Sequence, residues 1–247
     1  MPRWIRYLLW GVALLALVLC VPGYLLYEEY RKAASEDPLV WEEDIAAFEE
    51  AAIEFPPPDN AILFVGSSSI RLWDTLARDM APIPVIQRGF GGAKINDVVH
   101  YARRLVTAWQ PLAVLVFVGT NDITPEAAKP PQQLLQSYRQ LVEILRSDNA
   151  NLPIYFIALT PSPLRWEVWP QAKAANALIA GYSRETPGLF YIDTGPALLG
   201  EGGEPDPENY VFDGLHLSER GYRVWTSIIR PRLLQDFPTL ATGAVGE

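Results

Sequence analysis

The chain has 247 residues, 49% of them hydrophobic and 20% charged, a composition that folds and has room for one medium domain rather than two full-sized ones. A formal charge of -9 excludes the clustered Lys/Arg surface that neutralises nucleic-acid phosphates. A single cysteine, Cys20, and two histidines, His100 and His216, exclude an intramolecular disulfide framework and a Cys/His structural zinc site, so any imidazole chemistry must use one of those two rings.

The chain opens on an apolar run. Residues 7–27 (YLLWGVALLALVLCVPGYLLY) are 21 positions without a charge, about 32 Å of helix at 1.5 Å per residue, against a bilayer core of about 30 Å. Arg3 and Arg6 precede the run and Glu28 and Glu29 follow it. The positive-inside rule therefore puts residues 1–6 in the cytoplasm and everything after Tyr27 outside. A cleaved signal peptide has an apolar region of roughly 7 to 15 residues and a small-x-small site, which Gly23-Tyr24-Leu25-Leu26 does not offer. A retained single-pass signal anchor is the expectation, with the exported part acidic and a poor partner for anionic lipid surfaces.

Residues 28–38 read as a short polar stalk. Trp41, Ile45, Phe48 and Ala52 then recur at i, i+4, i+7 and i+11, an amphipathic helix stopped by Pro56-Pro57-Pro58. Beyond it, apolar runs at 61–65, 84–86, 112–118, 154–159 and 189–192 lack polar alternation, as strands buried on both faces do. Helical patterns lie between them: Ile95, Val98, Val99, Ala102, Leu105, Val106 and Trp109 share one face, and so do Leu134, Leu135, Tyr138, Leu141, Val142 and Leu145. A last helix is expected over 218–235 with Ser218 as its N-cap. Strands each followed by a helix specify a mostly parallel five-stranded sheet between two helical layers, a three-layer α/β sandwich over residues 39–237, followed by a flexible tail at 238–247. Such sheets bind ligands at the carboxyl ends of their strands.

Those ends carry Gly66-Ser67-Ser68-Ser69, Arg88-Gly89-Phe90-Gly91-Gly92 and Gly119-Thr120-Asn121-Asp122, and Asp213-Gly214-Leu215-His216 comes late in the chain. Singly each has an ordinary structural explanation: a helix N-cap, a tight turn, a turn closure, a helix start. Together they hold a hydroxyl nucleophile, backbone and amide donors, a base and an orienting carboxylate, the inventory of acyl transfer. A serine hydroxyl needs a neighbouring base, and histidine, with an ordinary pKa of about 6.5, is the side chain suited to the task near neutral pH. His100 follows an apolar stripe on a predicted helix and reads as solvent-facing or helix-packed. Asp213, three residues before His216, is within reach of its ring in a turn.

These four segments resemble the sequence blocks of the SGNH, or GDSL-like, esterase and lipase superfamily, in the branch with platelet-activating-factor-acetylhydrolase-like enzymes. The resemblance implies a flavodoxin-like hydrolase fold and a nucleophile at Ser68. It further implies oxyanion donors at the Ser68 and Gly92 amides and the Asn121 side chain, and a base and its partner at His216 and Asp213. Ser67 stands where that family usually has Asp and Ser69 where it has Leu, which leaves three adjacent hydroxyls; the turn's apex favours Ser68. No metal or organic cofactor is required. The Gly-x-Ser-x-Gly elbow fails at Ile70, and Gly89-Phe90-Gly91-Gly92-Ala93-Lys94 lacks the last glycine of a dinucleotide fingerprint and follows the second strand, so nucleotides are not expected.

The segment after the fourth predicted strand, with Arg165, Trp166 and Trp169, should overhang the same edge and offer substrate contacts. Packing of the loop by the two tryptophans is an equal alternative, and a surface charge or a partner for Glu167 is the more ordinary reading of Arg165. The expected substrates are small acyl esters, either O-acetyl groups on an exported carbohydrate or short or lysophospholipid-type lipid esters. A catalytically silent carbohydrate- or lipid-binding module is the alternative of another class.

Overall fold

The structure is a computed structural model that describes residues 2–7, 10, 24 and 27–241. The expected spanning run at 7–27 falls almost wholly outside the described residues, among which no helix is long and apolar enough to cross a membrane.

Five strands, β1 (Ile62–Gly66), β2 (Val85–Gly89), β3 (Ala113–Phe117), β4 (Ile154–Ile157) and β5 (Leu189–Ile192), form one sheet in the order β2-β1-β3-β4-β5. Every pairing is parallel. β1 and β3 are buried along their whole length, as their unbroken apolar sequences require. Side chains alternate between two cores: Leu63, Val65, Val114, Val116, Ile154 and Phe156 enter one, and Ile62, Phe64, Leu115, Phe117, Tyr155 and Ile157 the other. The first is covered by α1 (Glu42–Glu54), α4 (Ile95–Leu105), α5 (Pro131–Leu145) and α6 (Trp169–Glu185). The second lies under α2 (Ser68–Arg71), α3 (Leu76–Met80) and α7 (Glu219–Asp236). The expected three-layer sandwich is present, with a sheet that is wholly parallel.

Two features of this packing position the site. β1 sits between β2 and β3, so the strand order reverses there and the loops after β1 and β3 part to leave a crevice at their carboxyl ends. Beneath the turn after β1 lies an aromatic cluster: Trp73 stacks on Tyr222 at 5.2 Å and meets Phe64 edge-on at 6.0 Å, while Phe117 and Trp225 meet at 4.7 Å. Each such pair is worth about 0.5–1.5 kcal/mol beyond its buried area, and the Tyr222 hydroxyl also donates to the Ser69 carbonyl at 3.0 Å.

The stretch read as a stalk runs along the domain. Residues 27–34 are helical. Glu29 forms a two-pronged pair with Arg71 (2.6 and 3.2 Å), Lys32 pairs with Asp44 (2.7 Å), and Glu36 bridges Lys94 (2.7 Å) and Lys129 (2.9 Å). In the expected tail, Pro238–Ala241 make one more helical turn, with Leu240 against the second core. Residues 242–247 lie outside the described ones.

Candidate active site

β1 ends at Gly66 because the chain must pass close to β3: a Cβ there would collide with the Phe117 carbonyl oxygen. Ser67 follows in extended conformation as the N-cap of α2, its amide donating to that same carbonyl at 3.0 Å. Its hydroxyl is buried without a partner. Ser68 is the first residue of the helix, and its Oγ lies 2.9 Å from His216 Nε2.

His216 is carried by the loop between the short turn Pro207–Asn209 and α7. The loop is closed by the Val211 amide donating to the His216 carbonyl (2.9 Å) and by Ser218, whose hydroxyl caps α7 by accepting from the Gly221 amide. Asp213 uses both oxygens. Oδ2 lies 2.6 Å from His216 Nδ1, and Oδ1 accepts from the backbone amides of Leu215 (2.8 Å) and His216 (3.0 Å). Partial burial pushes this carboxyl up. The His216 ring and the two amides outweigh that effect and hold it below its ordinary value, so it stays ionised near neutral pH. An ionised Asp213 holds a proton on Nδ1 and leaves Nε2 to accept from the Ser68 hydroxyl.

The loop after β2 carries Gly92, at φ +69°, a backbone conformation that glycine adopts without strain; it packs against Ala33 and Trp41 and is not among the residues that line the cavity at Ser68. Among the described residues neither the Ser68 nor the Gly92 amide donates to a protein acceptor. The loop is fastened at its far end by two buried carboxylates: Asp97 accepts from the Lys94 amide (2.7 Å), and Asp122 accepts from the Ile95 amide (2.9 Å) and from Lys129 (3.0 Å). Burial raises the pKa of Asp122, with the Ile95 amide and Lys129 opposing. Asn121 donates from Nδ2 to the Ala93 carbonyl (3.0 Å) and thereby ties the loop after β3 to the Gly92 loop. Neighbours in sequence thus split the work: Asn121 faces the crevice, while Asp122 turns inward to fasten α4, a task the sequence pattern did not disclose.

Ser68, Asn121, Thr160, Arg165, Leu215 and His216 are among the residues that surround a cavity of about 20 Å³, enough for roughly one water or one methyl group. Arg165 is there, as expected, but its guanidinium points at protein: it donates to the Thr120 carbonyl (2.6 Å) and to Asn121 Oδ1 (2.9 Å). Burial pushes its pKa down to about 10. Trp166 and Trp169 stack on each other at 6.3 Å, Trp169 packs against the first core, and neither lines this cavity. His100 is exposed on α4 with its ring edge-on to Tyr101, away from the crevice. A fully exposed Phe212 stands immediately before Asp213, and the amide of exposed Leu164 donates to the Gly214 carbonyl (2.9 Å).

A hydroxyl, an imidazole and a carboxylate in line, with the Ser68 amide and the Asn121 carboxamide beside them at the switch point of a parallel sheet, form a site for acyl transfer through serine. The sequence profile of the GDSL-like lipase/acylhydrolase family matches residues 63–224. The chain belongs to that family and is a serine carboxylic ester hydrolase. It is 26% identical over 201 residues to the isoamyl acetate-hydrolyzing esterase 1 homolog of Rattus norvegicus, a match spanning 67% of this chain and 79% of the relative. Among solved structures, a GDSL-like lipase from Bacteroides thetaiotaomicron has a TM-score of 0.63 at 19% identity, covering 78% of this chain and 99% of its own. A carbohydrate esterase of family 3 from Talaromyces cellulolyticus has a TM-score of 0.56 at 17% identity, covering 71% and 96%. These two likenesses speak for the fold.

Proposed function

We propose that the protein is a membrane-anchored, extracytoplasmic serine esterase that removes small acyl groups, acetyl above all, from a bulkier alcohol such as a carbohydrate. The observation that carries the mechanism is the 2.9 Å approach of Ser68 Oγ to His216 Nε2, with Asp213 2.6 Å behind the ring. Ser68 Oγ attacks the ester carbonyl carbon while Nε2 takes its proton, and the carbonyl electron pair moves onto oxygen. The Ser68 and Gly92 amides and the Asn121 Nδ2–H receive that negative charge; one such donor is worth about 100- to 1000-fold in rate. The tetrahedral species collapses, His216 passes its proton to the departing alcohol, and an acyl-Ser68 ester remains. Water, deprotonated by the same Nε2, attacks that ester and releases the acid and free Ser68.

The size of the cavity, about 20 Å³, favours acetyl over longer chains on the acyl side. The exposed Phe212 and Leu164 supply an apolar surface on which the face of a sugar ring can rest. The apolar run at 7–27, with Arg3 and Arg6 before it and Glu28 and Glu29 after it, supports a single-pass anchor with the domain outside the cytoplasm.

A fluorophosphonate probe is expected to label the native chain and neither Ser68→Ala nor His216→Ala; labelling that survives in Ser68→Ala overturns the assignment. Hydrolysis of p-nitrophenyl esters is expected to fall steeply from acetate to octanoate. A rise along that series favours the lysophospholipase reading of the same site. A reporter enzyme active only outside the cytoplasm, fused after residue 247, tests the orientation; an inactive fusion refutes it.

A further inference from the structure

We propose that Arg165 is a positioning residue of this site, whose guanidinium locks the Asn121 carboxamide in the one orientation that keeps a side-chain N–H available to the developing oxyanion. The inference rests on the reading of Asn121 as an oxyanion donor.

A carboxamide has two faces of nearly equal size and opposite polarity, so a half-turn about its last bond replaces a donor by an acceptor. In an oxyanion hole that half-turn sets a carbonyl oxygen against a negative oxygen. Two neighbours of opposite chemistry forbid it here. The Arg165 guanidinium, which has donors and no acceptor, meets Oδ1 at 2.9 Å. The Ala93 carbonyl, which has an acceptor and no donor, meets Nδ2 at 3.0 Å. In the turned-over amide both contacts become repulsive, so the second Nδ2 hydrogen stays free for substrate.

Arg165 is itself held. Its other terminal nitrogen donates to the Thr120 carbonyl at 2.6 Å, so the planar fork spans two successive residues of the loop after β3. The short helix that carries it, Pro163–Val168, is pinned to the Asp213–His216 loop by the Leu164 amide donating to the Gly214 carbonyl at 2.9 Å. One element thus fixes the oxyanion amide against the loop that holds the base. No ion pair among the described residues engages Arg165. It remains protonated at neutral pH even with its pKa pushed down to about 10 by burial. A half-buried cation that no carboxylate contacts directly, with Glu126 and Asp122 acting on it only from a distance, costs stability in the resting protein, and it lines the same cavity where negative charge appears during the reaction.

The test is a double-mutant cycle on the full chain with p-nitrophenyl acetate: Arg165→Ala, Asn121→Ala and the pair, with Arg165→Lys alongside. Arg165→Ala is expected to lower kcat about 10- to 100-fold with KM within about 3-fold, and to cost under about 3-fold more once Asn121 is alanine. Arg165→Lys keeps the charge without the fork and should fall between native and Arg165→Ala, so the assignment stays testable if the alanine variant does not fold. Millimolar guanidinium is expected to restore part of kcat in Arg165→Ala and none in the double variant. An equal cost in both backgrounds, or a loss confined to KM, overturns the inference and makes Arg165 a direct substrate contact. Failure of the underlying reading has a separate signature, unchanged kcat in Asn121→Ala itself.

Discussion

Asp213 grips His216 twice, through the ring Nδ1 at 2.6 Å and through the backbone amide at 3.0 Å, one carboxylate oxygen for each. The backbone contact fixes where the carboxylate stands and the ring contact fixes which imidazole nitrogen carries the proton. Asp213→Asn keeps the first kind of contact and can present an N–H to Nδ1, which favours the wrong tautomer. The expected result is a loss of about 10,000-fold in kcat with an unchanged circular-dichroism spectrum and thermal midpoint. A loss under about 10-fold would show that the carboxylate is dispensable.

The three adjacent serines separate cleanly in their surroundings. Ser67 Oγ is buried and unpartnered, so removing it leaves no orphaned group behind. Ser67→Ala is expected to retain labelling by a fluorophosphonate and to unfold within about 1 kcal/mol of the native chain, whereas Ser68→Ala loses turnover altogether. Stopped turnover in Ser67→Ala with a normal melting curve would reassign the nucleophile.

Gly92 carries two constraints at once. Its φ of +69° disfavours any side chain, and a Cβ there would sit 2.5 Å from the Ala33 methyl in the segment that precedes the domain. Gly92→Ala should lower both the thermal midpoint and kcat, the latter by about 100-fold if the amide is displaced from the oxyanion. Adding Ala33→Gly removes the collision and leaves the backbone strain, so the double variant should recover part of both losses. No recovery would mean that residues 27–34 do not pack on this loop in solution.

Glu36 bridges Lys94 and Lys129. Partial burial pushes its carboxyl up, and the two ammonium groups more than offset this, holding it below its ordinary 4.5. The folded state therefore binds this proton less readily than the unfolded chain does. The stabilisation is complete above about pH 4.5 and is lost as pH falls through the lowered folded value. Thermal midpoints of native and Glu36→Gln chains should differ by a few degrees at most near neutral pH, because the carboxylate itself is largely exposed, and converge as pH falls below the lowered folded value. A gap that widens on acidification contradicts the bridge.

Most of the sheet could be read from local pattern because a strand covered on both faces has little choice of residue. β2 runs on to Gly89, past the apolar Val85 and Ile86, because as an edge strand it tolerates the half-exposed Gln87 and Arg88. α6 escaped the periodicity argument altogether. Its inner face mixes Ala172, Ala175 and Ile179 with Asn176 and Ser183, which breaks the apolar stripe. Asn176 is there because its carboxamide clasps both the amide and the carbonyl of Leu159 at the end of β4 (2.9 and 2.8 Å), a contact visible only once the helix is docked.

The same division holds at the site. Sequence alone determined which segments carry reactive groups, since each follows a buried strand or opens a helix, and it set Asp213 beside His216, three residues apart. Only the tertiary structure decided that His216 meets Ser68 across 148 residues, and that the Arg165 guanidinium meets the Asn121 carboxamide. Hydrophobic period and turn chemistry are written over a few residues and can be read there. Contacts between distant loops depend on strand order and on where each loop leaves the sheet, and these are settled when the whole core closes.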